Sequence, residues 1–261
     1  MNIVVCLKQV PGTTKVKIDP QTNTLIRQGI ENIVNPFDTY ALEEGVRIRE
    51  RCGGKVTAIS MGPPQAEEVL REAIALGADE AILLSDSDFA GADTLATSYT
   101  LARAIDRLER SDIIICGRQT IDGDTGQVGP ELAEMLRIPF VAYVSKIEEI
   151  DNGSMRLQRM VEEGHEVIET PLPAVITVVK EINIPRLPSL RGLAKSKSAM
   201  IPVWTAQALG VEKKMVGLSG SATRVIKVFF PQRFRQGEIL QGELESQVES
   251  LVNKLRDAKI T

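Results

Sequence analysis

The sequence predicts an α/β protein: a Rossmann-like parallel sheet with helices on both faces, extra antiparallel edge strands, and a C-terminal arm ending in a helix. Three observations carry that expectation. Short β-branched runs alternate with helical patterns of about 10–17 residues through the first 150 positions, as a doubly wound sheet requires. After Pro139 strand-like runs follow one another with no helix between them. The final residues regain helical spacing behind a long basic stretch.

Each element has a local reason. Residues 2–7 are apolar and β-branched, as a parallel strand covered on both faces should be, and 55–60, 80–84 and 112–116 read the same way. Helices are expected over 36–51, 63–76, 93–110 and 127–136. Asn35 can cap the first of these, with Pro36 at its first position and Asp38 in its first turn. Gly62-Pro63-Pro64 opens the second, and Gly77 can close it with a left-handed backbone. Residues 16–29 read as a small hairpin inserted after the first strand. Beyond Pro139, strands are expected over 140–150, 154–162 and 174–179, with Asp151-Asn152-Gly153 as a turn signal. Residues 182–204 carry three prolines and four basic residues, a composition that argues against a packed element. Leu240, Leu244, Val248, Leu251, Val252 and Leu255 then follow the spacing of an amphipathic helix. The expected division is a nucleotide-binding domain at 1–185 and a docking loop and arm at 186–261.

Composition excludes several classes of function. At 261 residues, 43% hydrophobic and 25% charged, the chain has the balance of a globular protein. Three cysteines cannot build a disulfide framework, which points to a reducing, cytoplasmic setting. The single histidine, His165, excludes a multi-histidine metal site. It lies in a polar turn among glutamates, with no nucleophile pattern beside it, and reads as structural or solvated. Aromatic residues at 4% are too few for a nucleic-acid stacking surface. No apolar run reaches the ~20 residues of a membrane span. Charge is uneven: residues 186–261 carry +7 and residues 1–185 carry −11. A basic tail on an acidic body suggests a segment that docks on a partner.

The most informative stretch is Cys116–Glu131, CGRQTIDGDTGQVGPE, a strand–loop–helix junction. In open α/β sheets, ligands bind where the carboxyl ends of strands converge. Gly117, Gly123, Gly126 and Gly129 allow close backbone approach, and the amides at the following helix start can hold phosphate. Asp122 and Asp124 would repel phosphate, so hydrogen bonds to ribose, adenine or backbone, or a place as anions at the helix start, are the expected use. The loops leaving the first strand (residues 7–12) and the second (residues 60–63) should meet this one. Asn35 is placed for a base or ribose contact, and Lys8 for phosphate or for solvent. Neither dinucleotide fingerprint nor P-loop is present. Nothing resembles an acid–base or covalent catalytic unit, so redox chemistry would come from a bound cofactor.

CLKQV at the start, NPFDTYALEE, SMGPPQ, LREAIALGADEAILL, the loop above and RMVEEGHEVIETPLPAVITV span essentially the whole chain. With these motifs the sequence resembles the electron transfer flavoprotein β subunit. In the last motif Arg159, Glu162, Glu163, Glu166 and Pro173 recur at the family's intervals. The resemblance implies an α subunit as partner, embraced by the C-terminal arm. It implies a nucleotide contacted by Cys6, Asn35, Phe37, Asp38, Met61, Gly117, Asp122, Gly123, Asp124, Thr125, Gly126, Gln127 and Val128. It also implies a leucine anchor, Leu190, with Arg191, Leu193 and Lys195 around it, docking an acyl-CoA or related dehydrogenase.

The nucleotide is FAD in the family's flavin-bifurcating branch, with NADH as exchangeable donor and ferredoxin or flavodoxin as acceptor. In simple electron carriers it is AMP. D-G-D-T-x-Q-V-G-P resembles the bifurcating branch, and the missing side chains at Gly123 and Gly126 leave room for a pyrophosphate and ribityl chain. The alternatives are an AMP-holding carrier subunit and a stand-alone α/β nucleotide-binding protein.

Overall fold

The computed structural model describes residues 1–12, 17–18, 25–26, 31–108, 110–151, 153–226 and 237–260. Strands β1 (Asn2–Leu7), β2 (Gln9–Pro11), β3 (Lys17–Ile18), β4 (Leu25–Ile26) and β5 (Asn32–Val34) come first. Helix α1 (Pro36–Cys52), β6 (Lys55–Met61), α2 (Glu67–Leu76), β7 (Glu80–Leu84), α3 (Thr94–Asp106), β8 (Ile113–Gly117) and α4 (Val128–Leu136) follow in alternation. The meander β9 (Phe140–Ile150), β10 (Ser154–Val161) and β11 (Gly164–Pro171) leads into β12 (Ala174–Val178). Then come α5 (Leu190–Ser198), β13 (Val203–Trp204), α6 (Ala206–Leu209), α7 (Gly217–Gly220) and α8 (Leu244–Asp257).

Nine strands form one sheet in the order β11-β10-β9-β12-β8-β1-β6-β7-β13. From β9 to β13 every pairing is parallel, while β10 and β11 add the antiparallel edge. The expected fold class is therefore the observed one. Both faces are covered. Ile3, Val5, Ile113, Ile115 and Ile176 point into the core shared with α1 and α2. Val4, Cys6, Ile114, Cys116 and Val175 point into the core with α3, α4 and α6. This is why DIIIC has no polar alternation: each fully buried isoleucine contributes about 1.5–3 kcal/mol from either side. In the hairpin β10–β11, Arg159 lies opposite Glu166 and pairs with it at 3.0 Å, joining two residues of the glutamate-rich motif.

Helix starts follow their chemistry with small shifts. Asp93 caps α3 from outside, its carboxylate accepting from Ala96 N–H at 3.0 Å, so the helix begins at Thr94. The turn after Pro63 is 3-10, and α2 begins only at Glu67. Gly77 closes α2 at φ +127. The expected hairpin at 16–29 is represented by the antiparallel pair β3–β4, and the rest of it lies outside the described residues.

The expectation that residues 182–204 hold no packed element is corrected. Ser189 caps α5, accepting from Gly192 N–H at 3.0 Å. The helix rests on α2 so closely that a Cβ on Gly192 would lie 2.2 Å from the Ala75 carbonyl oxygen. Arg71 donates to the Ser196 carbonyl at 2.6 Å, and β13 extends the sheet beside β7. Hydrophobicity gave no warning because backbone hydrogen bonds and one close approach hold this helix, rather than an apolar stripe. By compactness the chain divides into a first unit, Met1–Ile226, which includes residues 186–226, and a second unit, Lys227–Thr261. In that second unit α8 shows Leu244, Val248, Leu251 and Val252 exposed on one helix. No helix among the described residues is long and apolar enough to cross a membrane.

Candidate functional site

Sheet order dictates where a site forms. β1 connects to β6 on one side while β8 lies on the other, so the chain's winding reverses between β1 and β8. A crevice opens at such a reversal, outside the strands' carboxyl ends. Here it is a cleft of about 980 Å³, at the large end of the range for small-molecule pockets. Cys6 and Cys116, paired in register at the ends of β1 and β8, form its floor. A hydrogen bond with the neighbouring Cys6 thiol, together with burial, pushes the Cys116 thiol above its usual range, so Cys116 acts as a small apolar group.

Behind the floor a buried polar knot fixes the loop after β8. Asn35 is fully buried; its amide donates to Asp38 Oδ1 at 2.9 Å and to the Gln119 carbonyl at 2.9 Å. Its carbonyl oxygen accepts from Ile121 N–H at 3.2 Å. Asp38 also accepts from Lys8 N–H at 2.8 Å, and burial pushes its carboxyl up to about 7 against those hydrogen bonds. Gly117 lies against this knot, where a Cβ would come within 2.3 Å of Asp38 Oδ1. Asn35 is thus spent inside the protein. It anchors the loop. It makes no side-chain cap for α1.

The loop then runs to α4. Gly126 takes φ +64, the left-handed backbone that favours glycine. A Cβ on Gly123 or Gly126 would meet its nearest neighbour at 3.5 Å, an ordinary contact. Close packing requires glycine at Gly117 and Gly129; at Gly129 a Cβ would lie 2.4 Å from Thr177 Cγ2. Gln127 makes no side-chain cap for α4, so its first amides stay available where Gln127, Val128 and Gly129 line the cleft. The start of α3, at Thr94 and Thr97, lines the facing wall.

Of the thirteen residues expected to contact a nucleotide, nine line the cleft: Cys6, Asp38, Met61, Gly117, Gly123, Thr125, Gly126, Gln127 and Val128. Asn35, Phe37, Asp122 and Asp124 are not among the lining residues; Asn35 is buried, and Asp122 and Asp124 are exposed. Asp122 pairs with Lys8 at 2.8 Å. Partial burial works to raise its carboxyl, but the Lys8 hydrogen bond and charge win and hold it below the ordinary range. Asp124 accepts from the Gln119 side chain. The two acids brace the loop through these contacts.

The wall that sequence reasoning missed is the loop after β7, where Ser85, Asp86, Ser87 and Phe89 to Thr94 line the cleft. Its signal was present: a run of serine, aspartate and glycine directly after a buried strand. Asp86 and Asp93 each cap a turn there, and Thr223 ties Asp93 Oδ2 with both its N–H (2.8 Å) and its hydroxyl (3.0 Å). His165 lies exposed on β11, in that motif's hairpin and outside the cleft lining. Among the described residues no cluster of three or more metal-binding side chains occurs.

Of the expected docking residues, Leu190 is 88% exposed, with Leu193 partly exposed beside it. Arg191 is exposed, but the Lys195 ammonium is engaged, donating to the carbonyls of Ala78 (3.1 Å) and Asp79 (3.2 Å). It closes the end of α2 rather than reaching outward.

A family model described as the electron transfer flavoprotein domain matches residues 22–209. The electron transfer flavoprotein subunit beta of Thermoanaerobacterium thermosaccharolyticum is 50% identical over 261 residues, all of both chains. The caffeyl-CoA reductase-Etf complex subunit CarD of Acetobacterium woodii is 46% identical over 262 residues, again all of both. Protein FixA of Azotobacter vinelandii is 43% identical over 249 residues, covering 93% of this chain and 89% of that one.

Proposed function

Because this chain belongs to the electron transfer flavoprotein family, as a β subunit working in electron transfer with an α subunit, we propose that its cleft holds FAD. The observation that supports this is the glycine-lined loop at 117–129, clamped behind by Asn35 and Asp38 and ending in the uncapped start of α4. Backbone amides there can take a pyrophosphate without charge repulsion. The cleft's volume and apolar floor suit a ligand longer than a mononucleotide. FAD held there would supply the redox chemistry, hydride acceptance from NADH and one-electron transfer to a partner dehydrogenase and to ferredoxin or flavodoxin. The protein's part is to bind and orient: thiols and aliphatic side chains below, amides at one end, Thr94 and Thr97 opposite. The dehydrogenase docks through the exposed Leu190, and the apolar stripe of α8 packs on the α subunit. Likeness to a subunit named for a caffeyl-CoA reductase complex supports an acyl-CoA-type partner.

The test is acid release of nucleotides from the purified αβ pair, followed by chromatography. Two FAD per pair and no AMP is the expected result. One FAD and one AMP would leave an electron-carrier subunit in place of a bifurcating one, and no flavin would end the reading altogether.

A further inference from the structure

Tyr143 takes φ +60, a strained backbone for a bulky side chain. It stands where β9 slips against β12, the register shifting between Ile176 and Val178. The slip is held by Thr177, buried, whose Oγ1 accepts from Tyr143 N–H at 3.2 Å. The same residue's Cγ2 fills the space that Gly129 leaves open at the start of α4. One threonine therefore fixes both the bulge and the helix end. The bulge turns the Tyr143 ring outward, 43% exposed, and the Arg118 guanidinium lies over it at 5.1 Å from the ring centroid.

Arg118 lines the cleft, its N–H donating to the Val178 carbonyl at 3.0 Å. The other lysine or arginine lining the cleft, Lys8, is bound to Asp122. Among the described residues no carboxylate forms an ion pair with Arg118; its partner is the ring. The difference matters chemically. A carboxylate would hold the guanidinium but occupy its donors and cancel its charge. An aromatic face holds it by its plane and leaves the N–H fork free for a second anion.

We propose that Tyr143 is a positioning residue that keeps Arg118 at the cleft as an unquenched cation for a phosphate of the bound nucleotide. The inference rests on the nucleotide reading above, and commits that reading to a discrimination between phosphorylated and unphosphorylated ligands. The αβ pair, stripped of nucleotide, is titrated with AMP against adenosine and with FAD against riboflavin. Tyr143→Ala and Tyr143→Gly should each shrink the phosphate preference about two- to fivefold, the range of an exposed cation–π contact. Tyr143→Phe, which keeps the ring, should retain it. Tyr143→Gly should hold or raise the melting temperature while losing the preference, since glycine takes this backbone without strain. In an Arg118→Ala background Tyr143→Ala should have no further effect.

An unchanged preference in Tyr143→Ala, equal weakening of both ligands in a pair, a melting temperature lost together with the preference in Tyr143→Gly, or a persisting effect without Arg118 would each overturn the proposal. Failure of the unaltered pair to bind any of the four ligands would instead overturn the nucleotide reading, and this inference with it.

Discussion

Replacing Asn35 with alanine tests whether the loop at 117–129 is built before a ligand arrives. The substitution removes three hydrogen bonds: to Asp38, to the Gln119 carbonyl and from Ile121 N–H. The bond to Asp38 is buried and meets a carboxyl group, worth about 1.5–3 kcal/mol when that group is ionised. The two loop bonds are partly buried and contribute about 0.5–1 kcal/mol each, because water can replace part of what is lost. The sum is about 2.5–5 kcal/mol, which for a domain this size lowers the melting temperature by roughly 5–20 °C. Asn35→Asp should be worse. It sets a carboxylate against Asp38 Oδ1 and the Gln119 carbonyl, where the amide donates. Its penalty should grow as pH rises through about 7, where Asp38 itself ionises. Calorimetry of the co-expressed αβ pair at pH 6 and 8 reads stability. Hydrogen exchange at residues 119–125 reads whether the loop has come loose. A melting temperature within about 3 °C of the unaltered pair, with exchange unchanged, would refute the claim that Asn35 clamps this loop.

Four further outcomes are expected. Asp38 is protonated more readily folded than unfolded, so it binds extra proton between about pH 4 and 7; stability falls as pH rises through that window, and Asp38→Asn should flatten melting curves taken from pH 5 to 8. Gly129→Ala should lower bound nucleotide and cost about 1–3 kcal/mol through its clash with Thr177 Cγ2, and Gly129→Ala with Thr177→Ser, which deletes that methyl, should recover both. Leu190→Ala should slow electron delivery to the dehydrogenase in stopped-flow assays at unchanged flavin content, and equal loss of both would mean the residue supports the fold. Deleting residues 236–261 should abolish co-purification with the α subunit, and a stable stoichiometric pair without them would remove the embracing arm.

The strands of the parallel sheet were legible because burial on both faces writes itself as unbroken β-branched runs, as in Ile113-Ile114-Ile115. The loop after β8 was legible because closely spaced glycines between such a strand and a helix have few other uses. What the sequence does not print is how a polar side chain is spent. Asn35 reads as available, yet the fold turns all its hydrogen-bonding capacity inward. The Ser85–Thr94 wall escaped notice because Asp86 and Asp93 read as ordinary caps, and capping leaves no mark of what faces the other side. Helix α5 was hidden because polar and basic residues dominate it and its hold on α2 runs through backbone carbonyls. That Gly117 and Gly129 permit close packing is not printed in the sequence either, because it depends on Asp38 and Thr177, which are distant along the chain.

The place of β12 between β8 and β9 has a consequence for the chain as it is made. β1 finds β6 early, and β8 can then add to the other side of β1. The outer edge of β8 must wait for Ala174–Val178, roughly 60 residues further on. At about 5–20 residues per second that interval lasts about 3–12 s on the ribosome. Throughout it, three consecutive isoleucines present an unpaired edge with no charge among them. The meander at 140–171 is synthesised first and cannot cap that edge, since β9 reaches β8 only through β12. Until β12 emerges, Ile113–Gly117 is therefore an exposed apolar edge of the kind that pairs with other chains, and cover for it protects the nascent protein from aggregation.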